Sequence, residues 1–157
     1  MGRVYTIEAS GAETAAGDFL EILCPSDSVM KLHQVVITQS TEAGDAASEQ
    51  VTCTIERNTG APTSGSGGST PTPIPVSSGD VAAGIVAEAF NTTDLTGGTS
   101  VVIHRETWNV MAGMNYLPIP QDQPEFAPST RCMIKLVSSP ADSITFQVVA
   151  TVEELGG

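Results

Sequence analysis

Ile144, Phe146, Val148, Ala150 and Val152 alternate with Thr145, Gln147, Val149, Thr151 and Glu153 in one unbroken run. On a helix these apolar side chains would be scattered round the whole circumference. On a strand they share one face, so a period of two sustained this long admits only an extended chain with one buried side. The same rhythm sets Val51, Cys53 and Ile55 against Thr52, Thr54 and Glu56, and Cys132, Ile134 and Leu136 against Arg131, Met133 and Lys135. Val, Ile and Thr fill more than a quarter of the chain. Their branched Cβ atoms suit a pleated surface and make second-rate helices. Further candidate strands lie at 3–9, 18–24, 28–39, 85–91, 99–106 and 107–112, separated by Gly, Pro, Ser and Asp clusters. About eight or nine short strands predict an all-β fold, a single-domain β-sandwich of jelly-roll type over residues 1–157. Only a short helical turn is expected, at Asp80–Gly84.

Two segments interrupt the strands. Residues 58–80, NTGAPTSGSGGSTPTPIPVSSGD, join a Gly/Ser-rich half to a Pro-rich half. The first half reads as flexible linker and the second as extended polyproline-like chain. A loop of this length in one domain is usually functional or disordered. Residues 115–130, NYLPIPQDQPEFAPST, hold an unusual share of the large side chains. Candidate contact residues are therefore Ser64, Pro71, Pro73 and Pro75 in the first loop, with Tyr116, Leu117, Pro118, Ile119, Pro120 and Phe126 in the second. The plainer alternative has Trp108 plugging the core and the Pro-rich stretch covering an open sheet edge.

Charge narrows the partners. Six basic residues face 18 acidic ones, for a net charge of −12. Such a surface repels nucleic-acid phosphates and anionic lipid, so neither is an expected partner. No apolar run approaches the roughly 20 residues of a membrane helix. Cys24, Cys53 and Cys132 are odd in number and sit within apolar alternating segments, which suits buried free thiols. One cross-strand disulfide is the alternative. The N-terminus enters a strand pattern with no apolar signal region, so the Asn91-Thr92-Thr93 triplet reads as chance. Met1-Gly2 with Thr6 is a loose myristoylation match that runs straight into a strand.

No reaction chemistry assembles from the motifs. His33 and His104 stand apart, without metal-ligand spacing or a nucleophile elbow, and read as hydrogen-bonded or solvent-facing strand residues. Glu42, Asp45 and Glu49 make a solvated acidic turn without the alternating ligands of a calcium loop. Ser64–Ser69 lacks the Gly-Lys-Ser/Thr ending of a phosphate loop. The Glu153-Glu154-Leu155-Gly156-Gly157 ending is too weak to signal a ubiquitin-like tail. The expectation is a non-enzyme without cofactor or metal.

The phrases LHQVVITQSTEAGDAASEQVTCTIERNTGAPTSGSGGSTPTPIP, TWNVMAGMNYLPIPQDQPEF and SSPADSITFQVVATVEEL, with the Asn91-Thr92-Thr93 step between the first two, bear a family resemblance. In this order they are similar to a family of head decoration, or cement, proteins of tailed double-stranded DNA phages. The resemblance covers nearly the whole chain and brings no catalytic motif. It implies a structural protein of the virion, bound to the outer surface of a capsid made of a major capsid protein, holding neighbouring capsomers together, and self-associated as a homotrimer. An acidic exterior and reaching loops agree with that role. A carbohydrate- or host-binding accessory of the head or tail is the alternative, with Trp108 and Tyr116 as its aromatic platform.

Overall fold

The computed structural model describes residues 2–41 and 49–156. Eleven strands make up the regular structure of these residues: β1 (Arg3–Glu13), β2 (Gly17–Leu23), β3 (Val29–Gln39), β4 (Gln50–Thr59), β5 (Ile74–Pro75), β6 (Val86–Ala89), β7 (Thr99–Asn109), β8 (Met114–Tyr116), β9 (Glu125–Phe126), β10 (Arg131–Leu136) and β11 (Ile144–Leu155). They form two antiparallel sheets. One runs β5-β1-β11-β3-β8, with β9 also on β3, and the other runs β6-β2-β10-β4-β7. The fold is all-β and sandwich-like, without a helix among the described residues.

The alternation read from the sequence decides which way each strand faces. Phe146, Val148, Ala150 and Val152 of β11 are fully buried, and so are Ile55 of β4 and Cys132 and Ile134 of β10. Register carries this pattern across each sheet. Ile134 lies opposite Ile55 and Leu20, while Val148 lies between Ala9 and Ile37. A one-residue slip would turn every such row to solvent. Phe19 ties the layers together, its ring 4.8 Å from Phe146 and 5.5 Å from Phe90.

Three expectations change here. The strands foreseen at 99–106 and 107–112 are one strand, β7, paired along β4 with an irregularity where Ile103 is skipped. A bulge of this kind shifts the inward phase, but the pairing runs unbroken from His104 to Asn109, across the expected boundary at 106/107. At 77–84 there is only a hydrogen-bonded turn, closed by Asp80 N–H to the Ser77 carbonyl at 3.1 Å. The Gly/Ser half of the first loop is a docked ribbon. It runs antiparallel to the 89–96 segment, with Thr63 bridged to Thr96, Ser66 to Thr93 and Ser69 to Ala89. Glycine serves proximity in it, because a Cβ on Gly65 would lie 2.4 Å from Asn91 Nδ2, and one on Gly68 would lie 2.1 Å from the Ala89 carbonyl oxygen.

Candidate functional site

The ribbon covers part of the outer face of the β6-β2-β10-β4-β7 sheet, and charged groups hold it there. Arg131 of β10 and Glu21 of β2 form a buried ion pair. The Glu21 carboxylate also accepts the Gly65 N–H at 3.1 Å, while Arg131 donates to the Ser64 hydroxyl at 2.9 Å. Asp18 and Asp94 make a second clasp: Asp94 accepts the Asp18 N–H at 3.3 Å, and Asp18 accepts the Leu95 N–H at 3.0 Å. Lys135 Nζ stands 3.4 Å from the Asp18 carboxylate. Ser64 is therefore an exposed residue whose hydroxyl secures its own loop to the sheet.

Pro71, Pro73 and Pro75 are half-buried, whereas Thr72, Ile74 and Val76 between them point outward. An extended segment must alternate in this way. Pro75 lies opposite Tyr5 on the outer edge of β1, a place where a missing N–H is tolerated. Ile74 and Val76 are the exposed apolar residues of this segment, in step with the period of two that runs through TPTPIPV.

The second loop divides. Leu117 and Ile119 are exposed at 64% and 61%, with Pro118 half-buried and Pro120 exposed. A turn from Asp122 N–H to the Ile119 carbonyl, 2.9 Å, closes this finger. Tyr116 is half-buried and stacks on His104, ring centroids 4.6 Å apart, which joins the β7 and β8 edges of the two sheets. Burial, then the nearby Cys132 and Asp122, push its phenol pKa up. Phe126 is no contact residue. It is fully buried, because β9 pairs with Met30 and Lys31 at the end of β3 and turns the ring inward. Trp108 is also in the core, edge-on to Phe146 at 6.2 Å, so it forms no platform with Tyr116.

Two lateral sides emerge. On one, β7 is an edge strand, unpaired on its outer side among the described residues and bearing exposed Val101 and Val102, and the Leu117–Pro120 finger continues from β8. On the other, β1 pairs with β5 at Tyr5 and Thr6, accepts the Val76 N–H on the Val4 carbonyl at 2.9 Å and approaches β6, beside two open grooves. A groove of about 480 Å³ is lined by Thr6, Glu8, Ala9, Ser10, Thr72 and Ile74. One of about 390 Å³ is lined by Gly2, Arg3, Val4, Val76, Ser77 and Asp80.

Both histidines pair with carboxylates, and all three thiols are buried. His33 meets Glu153 at 3.0 Å and His104 meets Glu106 at 3.1 Å. Cys24, Cys53 and Cys132 are buried free thiols, which excludes a disulfide among them. Burial pushes Cys53 up to about 12, only partly offset by the adjacent Trp108 side chain, and raises Cys24 and Cys132 as well. Glu49 accepts the Ala141 N–H at 2.9 Å, while Glu42 and Asp45 lie outside the described residues. Among the described residues no three His, Cys, Asp or Glu side chains are placed to hold a metal ion. Comparison with protein-family models, with curated proteins and with solved structures found no match to this chain.

Proposed function

We propose that this chain is a non-enzymatic structural protein of a virion that binds the outer surface of a tailed-phage capsid and cements neighbouring capsomers, associating with copies of itself. The observation that carries this reading is the position of the exposed apolar groups. Most of them stand at strand edges and on a Pro-stiffened finger, as a protein that grips other protein surfaces requires. The phrase-by-phrase resemblance to phage decoration proteins supplies the partner, the major capsid protein. A jelly-roll reading supports it further. With the minor strands β5, β6 and β9 set aside, the remaining eight lie four to a sheet in the orders β1-β11-β3-β8 and β2-β10-β4-β7, and successive strands change sheet except from β4 to β7. We read this order as two nested Greek keys, an architecture used in viral shells. Burial of Trp108 removes the platform on which a glycan-binding reading rested.

The mechanism is linkage. A ligand that binds the expanded lattice and not its precursor stabilises it by about 2.7 kcal/mol when its free concentration is a hundredfold above Kd. Repetition at every junction opposes the pressure of packaged DNA. Heads stripped of this protein should lose resistance to heat or osmotic shock and regain it on add-back. Equal survival of stripped and decorated heads would overturn the proposal.

A further inference from the structure

We infer that copies of this chain associate head to tail: the Leu117–Pro120 finger and open β7 edge of one copy seat against the grooved β1–β5 edge of the next. The inference rests on the self-association in the reading above and names the surfaces that meet.

Exposed apolar groups are concentrated on the two lateral sides. Val101, Val102, Leu117 and Ile119 lie on the β7–β8 side, and Ile74, Val76, Val81 and Val86 on the β1–β6 side. A two-fold contact uses one patch twice, whereas two unlike patches on opposite sides are what a heterologous contact needs. Their shapes are complementary. The first side projects, and its prolines fix φ, so little freedom remains to be lost on docking. The second side is indented, with the 480 Å³ groove beside Ile74 roomy enough for the aliphatic side chains of the finger.

Charge agrees with shape. In a chain of net charge −12, the β7–β8 side gathers Lys31, Arg57 and Arg105. Lys31 is held by Glu125, and Glu106 is engaged by His104, but exposed Arg105 has no ion pair among the described residues. Further carboxylates there are Asp122 and the buried Glu56, which accepts the Thr54 hydroxyl at 2.8 Å. The facing side carries Glu8, Asp80 and Glu88 against Arg3 alone. Backbone groups match too: among the described residues no ladder covers the outer edge of β7, nor β1 beyond Thr6. Edge strands in this state accept another strand. Such a contact closes into a ring if successive rotations complete a turn, and otherwise grows as a filament.

Light scattering after gel filtration tests the inference. Wild type should show a mass above the 16.2 kDa monomer. A finger variant, Leu117→Asp with Ile119→Asp, and a groove variant, Ser10→Trp, should each associate at least about tenfold more weakly, a loss of about 1.4 kcal/mol. Unchanged melting temperatures would show that both still fold. Mixing the two should restore pairs and nothing larger, because only one sound finger and one sound groove remain per pair. Monomeric wild type at high concentration would overturn both the surfaces and self-association. A finger variant that assembles like wild type, or a mixture that stays monomeric, would overturn the surfaces alone.

Discussion

Glu13, Asp18 and Asp94 crowd three carboxylates round the β1–β2 turn. Burial, then Asp94 and Asp18, raise the Glu13 pKa above its ordinary value. Burial raises Asp18 as well, against the opposing pull of the Leu95 N–H and Lys135. A carboxyl that binds its proton more tightly in the folded state stabilises the fold below its unfolded pKa, and that contribution is lost as pH rises through the folded value. Stability from these two groups should therefore increase on mild acidification from neutral pH. Glu13→Gln should flatten that dependence and raise the urea midpoint near neutrality; an unchanged profile would contradict the crowding. Phe126 is the second residue to test. Phe126→Ala should cost about 3–5 kcal/mol in urea unfolding, as expected for an emptied core site. A contact residue would instead leave stability intact.

At the scale of elements, the docked ribbon is the feature least visible in SGSGGS. Composition marks glycine as flexible, yet Gly65 and Gly68 sit where no Cβ fits. Only the position of the 89–96 segment reveals why, and that segment is distant in sequence. Gly68→Ala should cost about 1–3 kcal/mol through overpacking. Arg131→Ala should cost about 3–5 kcal/mol by leaving Glu21 buried without its partner. Hydrogen exchange would show both changes first as loss of protection at Ser66 and Ser69. The long strands were legible because one face of each is buried, which writes a period of two into the residues. Pairing partners were not, since Arg3 meets Glu154 across nearly the whole chain. Tyr116, Leu117 and Ile119 were identifiable by type, but Phe126 shares that type. Only the two-residue strand that holds it distinguishes core from surface.

For the whole molecule, the three thiols report on integrity. All are buried, and burial disfavours each thiolate, the reactive form. A mild thiol reagent at slightly alkaline pH should modify none in the folded protein and all three in denaturant. Fast labelling of the native state would show that the sandwich opens locally. The long strand β11 lies between β1 and β3, so it is the central partner of its sheet. During synthesis β1 and β3 emerge long before it, with inward rows such as Tyr5–Ile7 and Leu32–Val35 that nothing yet covers. Their sheet is complete only when Ile144–Leu155 arrives and threads between them. Closure of this sheet thus waits on β11, through contacts that span most of the chain and close slowly. Until then the edges of β1 and β3 that β11 occupies are open to pairing with a neighbour's strand.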